Sequence, residues 1–101
     1  MAKSRRTKAC DISDKVRKEV RERDQDACIF CHRYGSQVAH YVARSHAGLG
    51  IPQNLVLACV ECHTRMDNST DREMMKEKAR AYLKSKYPDW DESKLYYNKW
   101  Q

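Results

Sequence analysis

Two CxxC pairs, Cys28-Ile29-Phe30-Cys31 and Cys59-Val60-Glu61-Cys62, carry the most specific chemistry in the chain. Each spacing lets two thiolates converge on one ion, and four thiolates complete the tetrahedral shell of a structural Zn²⁺ with bonds of about 2.3 Å. That shell has no position left for water. The ion would therefore be a staple, and any catalysis has to come from other residues. The 27 residues between Cys31 and Cys59 exceed the interval of a plain four-Cys site, and the excess suits an inserted hairpin. A redox CxxC of the thioredoxin kind needs one pair on a βαβ pattern, which this sequence lacks. His32, just after the first pair, stands where a small residue turns most easily and is a weaker substitute ligand. Cys10 has no partner in the pattern and reads as a bystander thiol.

His40, Asn54, His63 and Asp67 make a second constellation. Phosphodiester hydrolysis needs an activated water, a hold on the scissile phosphate and a cation to neutralise charge on the phosphate and the departing 3′ oxygen. Histidine, titrating near neutrality, suits the role of base, which here falls to His40. Asn54 offers both a donor and an acceptor, enough to tie a loop to the backbone around His40. His63 and Asp67 are four residues apart and share one helix face, while Cys59 and Cys62 turn away from it towards the zinc.

These parts arrive in a fixed order: CxxC, then His40 in "VAHYVARSHAGLG", then Asn54 in "QNLVLACVECH", with His63 directly after the second pair. In that order, residues 28–68 resemble the HNH nuclease family. Ala39 to Asp67, together with the helix beginning "DISDKVRKEVRERD", is similar to small HNH proteins encoded by bacteriophages of Gram-positive hosts. The resemblance implies a small α+β protein with a ββα-metal (His-Me finger) core and a four-Cys zinc site, flanked by an N-terminal helix and C-terminal helices. It implies catalytic roles for His40, Asn54 and His63, with His63 and Asp67 as ligands of a catalytic divalent metal. It further implies cleavage of DNA, and DNA-packaging (terminase) proteins as companions.

Ala39 departs from the family pattern, because many HNH enzymes place a ligating Asp or His directly before the base. The missing ligand is then sought in Asp67, in His46, or in water and phosphate oxygens, which Mg²⁺ readily keeps. A shell containing imidazole favours Mn²⁺ or Ni²⁺ over Mg²⁺. The same departure keeps an alternative open, a non-catalytic zinc-stapled module that binds DNA or protein within a phage DNA-processing assembly.

Several elements must position these residues. Ile12, Val16 and Val20 recur every four residues, predicting a helix from an Asp11 N-cap to about Asp24. Val38, His40 and Val42 alternate with Ala39, Tyr41 and Ala43, predicting a strand on which His40 shares a face with both valines and points to the helix of His63. Leu55 to Leu57 form a second strand, after a long loop with Gly48, Gly50 and Pro52. A helix starts near Cys59 and breaks at Asn68 and Ser69. Thr70 and Glu73 form a capping box for the next helix, which buries Met75, Ala79, Tyr82 and Leu83 and stops at Pro88. Trp90, Leu95, Tyr96, Tyr97 and Trp100 are expected to pack back on the domain.

With 101 residues, 41% hydrophobic and 34% charged, the chain predicts one domain over 11–101 with a thin apolar core and a helical extension at 69–101. The net charge of +6 sits mainly outside residues 28–68. Residues 1–10 hold Lys3, Arg5, Arg6 and Lys8 without an acid and read as a flexible basic arm. Arg5, Arg6 and Lys8, with Arg44 and the helix residues Lys15, Arg17 and Lys18, are expected to contact DNA phosphates without reading sequence. No apolar run approaches the roughly 20 residues of a membrane span. Five cysteines without an apolar signal segment suit a reducing cytoplasm, that of the host if the chain is phage-encoded, and a monomer or weak dimer is expected.

Overall fold

A computed structural model describes residues 4–98 as a small α+β unit. Its elements are α1 (Arg5–Cys10), α2 (Asp14–Arg23), β1 (Gln37–His40), β2 (Leu55–Ala58), α3 (Val60–Asn68) and α4 (Arg72–Lys86). β1 and β2 form an antiparallel pair in which Val38 faces Leu57 and His40 faces Leu55. All four residues of β2 are buried, which explains an unbroken apolar run, Leu-Val-Leu-Ala, in place of alternation. Leu55 and Leu57 pack on Val16 and Val20 of α2, while Val56 and Ala58 join Ala39, Met66, Met75, Ala79 and Leu83 on the side of α3 and α4. Among the described residues, no helix is long and apolar enough to cross a membrane.

Several boundaries differ from the sequence expectation, each for a local reason. α2 is capped by Ser13, whose Oγ accepts from Val16 N at 3.1 Å, and not by Asp11. α4 has no capping box. Its N-cap is Asp71, whose side chain accepts from Arg65 instead, and Asp71 N donates to Ser69 Oγ at 3.1 Å. β1 stops at His40. Tyr41 N donates to Asn54 O at 2.7 Å and Val42 N to Asn54 Oδ1 at 2.7 Å, so pairing passes from a neighbouring strand to one asparagine. Val42 consequently packs in the α3/α4 core and does not share a face with His40.

The segment expected as a flexible arm is helical over Arg5–Cys10, capped by Ser4 and ending on a buried Cys10; Met1 to Lys3 lie outside the described residues. Gly50 N donates to Ala9 O at 2.9 Å, docking α1 on the hairpin loop. Gly48 and Gly50 serve close approach and not left-handed turns, since neither has positive φ, and a Cβ would stand 1.7 Å from Val42 O and 2.0 Å from Asp11 O, respectively. Beyond Pro88 the chain packs on that loop: Trp90 Nε1 donates to Gln53 O at 2.7 Å and Leu95 is buried. Trp100 lies outside the described residues.

One polar cluster in the interior has no counterpart in the sequence expectation. Asp24, 6% exposed, accepts from Leu57 N at 3.0 Å, from Arg23 at 2.7 and 2.9 Å, and from the Tyr82 hydroxyl. Arg23 also donates to Pro52 O, Leu55 O and the Tyr87 hydroxyl, at 2.8, 2.7 and 3.1 Å. Burial opposes the charge of Arg23, but Asp24 and Tyr87 outweigh it and keep the guanidinium ionised. Burial, and then Asp24, push the Tyr82 phenol up to about 12, so it remains a donor. The cluster ties α2, β2, the hairpin loop and α4 together. Asp24→Ala would leave a buried guanidinium without its carboxylate, and we expect it to cost ~3–5 kcal/mol in urea unfolding. A loss below ~1 kcal/mol would show the cluster to be dispensable.

Candidate metal centre and histidine site

The four cysteines of the CxxC pairs come together, with their Sγ atoms all within 4.8 Å of one another. The first pair sits on a turn in which His32 N donates to Cys28 O at 2.9 Å and His32 takes φ 67°. Ile29 N donates to Leu57 O at 3.0 Å, which anchors this turn to β2. The second pair opens α3: Cys59 is its N-cap and accepts from Cys62 N at 3.4 Å. Cys28 and Cys62 are buried, whereas Cys31 and Cys59 are half-buried. Burial, and then the three neighbouring sulfurs, push the Cys62 thiol well above its usual range. Four thiolates at this spacing need a cation between them, so the cluster could hold one metal ion. Neither His32 nor Cys10 belongs to it, and no other such group of three or more His, Cys, Asp or Glu occurs among the described residues.

His40 ends β1, and its Nε2 lies 2.9 Å from Cys10 O. A carbonyl only accepts, so Nε2 carries a proton and the lone pair of the neutral ring is on Nδ1. Burial lowers the His40 pKa below its ordinary value. The Cys10 carbonyl opposes that shift, the charges of Arg44 and His63 add to it, and Asp67 opposes it again. Beside the ring, Arg44 Nη1 reaches Asp11 Oδ1 at 2.7 Å and Cys10 O at 3.4 Å. Asp11, Ile12, Arg17, Val38, His40 and Arg44 line an open crevice of about 370 Å³.

Asn54 is fully buried, and each polar atom of its side chain is bonded. Besides accepting from Val42 N, it donates through Nδ2 to Val42 O at 3.1 Å and Leu49 O at 2.8 Å. It ties the hairpin loop to the backbone just after His40, the geometry expected of it.

His63 and Asp67 meet on one face of α3, with Nε2 and Oδ2 3.1 Å apart. His63 Nδ1 lies 2.6 Å from Gln37 Oε1, a partner that no motif or spacing singled out. If that oxygen accepts, Nδ1 carries the proton and Nε2 turns a lone pair towards a carboxylate. Two acceptors in that position need a second proton or a cation between them. Imidazole and carboxylate are both donor types that divalent ions such as Mn²⁺ or Ni²⁺ accept.

Two expectations need correction. By strand alternation, His40 and Gln37 lie on opposite faces of β1, so the His40 ring turns to α1 and not to α3, although the charges of His63 and Asp67 still reach it. His46, the other candidate ligand, is exposed and lines a separate groove with Arg72, Lys76 and Arg80. Ala39 is 1% exposed in the core and offers nothing to a metal. Of the phosphate candidates, Arg44 is paired with Asp11, Arg6 donates to Ser45 O at 3.3 Å, and Arg5 and Lys8 are exposed on the helix that covers His40. No protein-family model matches the chain, and no curated protein matches it.

Proposed function

We propose that this protein is a metal-dependent endonuclease of the HNH type that hydrolyses DNA phosphodiester bonds with little intrinsic sequence preference. The observation that carries the reading is the His40 imidazole, fixed by the Cys10 carbonyl so that its basic nitrogen is Nδ1, on the strand next to the His63–Asp67 pair. His40 takes the proton of the attacking water. Asn54 holds the strand end that carries His40, and Arg44 exchanges Asp11 for a phosphate oxygen. A divalent ion held by His63 and Asp67 would supply charge for the phosphate and the departing oxygen. Gln37 orients His63.

On this reading the hairpin β1–β2 followed by α3 is a ββα-metal core, and the four cysteines hold a structural Zn²⁺. A bacteriophage origin, a host-cytoplasmic location and terminase companions belong to the same proposal, resting on the resemblance. Buried Ala39 favours one second reading, a zinc-stapled binding module without catalysis. Supercoiled plasmid separates the two. Because His63 would be one of only two protein ligands, we expect nicking with Mn²⁺ or Ni²⁺ to be at least as fast as with Mg²⁺. Absence of nicking in all three metals would favour the binding module.

A further inference from the structure

Gly50 bonds to no side chain of the histidine site, yet it fixes where the acceptor for His40 lies. It is buried and its φ is not positive, so the missing side chain serves space and not conformation. A Cβ there would stand 2.0 Å from Asp11 O, 2.6 Å from Asp11 C and 3.0 Å from Cys10 O. Gly50 N also donates to Ala9 O at 2.9 Å. Three consecutive residues at the end of α1 thus rest on one glycine. Two of them face the crevice: Cys10 O receives His40 Nε2 at 2.9 Å and Arg44 Nη1 at 3.4 Å, and Asp11 Oδ1 meets Arg44 Nη1 at 2.7 Å.

The loop under Gly50 is pinned on its other side. Asn54 Nδ2 donates to Leu49 O at 2.8 Å, and Leu49 N donates to Leu95 O at 2.8 Å. The same Asn54 side chain grips Val42, two residues after His40. α1, by contrast, has six residues, of which Cys10 alone is buried. A side chain at position 50 would therefore displace the end of α1 and not the loop, carrying the Cys10 carbonyl off the His40 ring. We propose that Gly50 is a positioning residue of the nuclease, which seats Cys10 O on His40 and Asp11 on Arg44, so that a segment outside residues 28–68 completes the site. This role rests on the nuclease reading and deepens it. Released from Cys10 O, the ring no longer aims Nδ1 at the attacking water, and a misplacement of about 1 Å can cost ~10²-fold in rate.

The test is Gly50→Ala in the zinc-loaded full chain, read by plasmid nicking with Mn²⁺ and by the proton resonance of His40 Nε2–H at low temperature. That resonance is expected in the wild type and absent from His40→Ala. We expect Gly50→Ala, folded by circular dichroism, to lose it and to lower kcat by ~10²-fold with KM nearly unchanged. Val20→Ala, a cavity in the core under α2, is the reference for mere loss of stability and should keep both the resonance and kcat. A Gly50→Ala chain with the wild-type resonance and kcat overturns the proposal, as does an equal loss in Val20→Ala. If Gly50→Ala does not fold, the wild type decides: a nuclear Overhauser contact from the Nε2 proton to the Gly50 α protons is expected, and its absence overturns the proposal. A wild type that nicks no plasmid rejects the nuclease reading, while the resonance and its loss in Gly50→Ala still decide whether Gly50 seats His40.

Discussion

Stripping zinc with a chelator is expected to unfold the domain completely, with the helical circular-dichroism signal lost and recovered when Zn²⁺ is returned. The sheet consists of two four-residue strands, and a hairpin of that size is marginal on its own. Among the described residues, the core on the α2 side contains only Val20, Leu55 and Leu57 as fully buried residues. Binding of a structural Zn²⁺ is worth ~10–16 kcal/mol near neutral pH, comparable to or larger than the ~5–15 kcal/mol of net stability of a whole domain. The four sulfurs bring the turn at Cys28 to Cys31 up to the start of α3, and as thiolates they would repel one another without a cation between them. Cys59→Ser should reproduce the effect, because it removes one of the four sulfur ligands while its hydroxyl can still cap α3. Cooperative unfolding that persists in the metal-free chain would show that the apolar core suffices.

His40→Ala is expected to lower the rate of DNA cleavage by ~10²–10⁴-fold, the range a positioned general base contributes, while leaving DNA affinity nearly unchanged. The wild-type pH profile gives an independent check. Burial lowers the His40 pKa, so the neutral, proton-accepting ring persists to more acid pH than for a free histidine. The acid limb of kcat/KM should therefore lie below pH ~6.5. A limb above that value would mean that a different group, or an unburied His40, governs the rate.

Spacing revealed those features that depend on short-range pattern. The CxxC pairs predicted their own convergence, because two residues between thiolates leave few ways to bind one ion. Met75, Ala79 and Leu83 declared the buried face of α4 by their period, and all three are buried. Asn54 was legible as a tie because of its chemistry and its place at the loop end. Features set by long-range contacts were not visible. α1 has no apolar period, and its placement comes from a backbone bond to Gly50, from Arg6 reaching Ser45, and from the His40 ring on the Cys10 carbonyl. Asp24, within Arg-Asp-Gln-Asp, looks like any solvated acid, yet Leu57 N, Arg23 and Tyr82 converge on it from distant parts of the chain. Gln37 carries no signal at all; only the packing of α3 on β1 makes it the partner of His63. The turn of His40 towards α1 was hidden for the same reason, since a strand pattern does not reveal that one asparagine ends the strand.

The most direct test of the nuclease reading is a time course of supercoiled plasmid with Mn²⁺, run with the wild type and His40→Ala at matched zinc content. Conversion to nicked or linear DNA by the wild type, with at least ~10²-fold slower conversion by the variant, is the predicted result. Equal cleavage by both proteins, or none by either in any of the three metals, would contradict it.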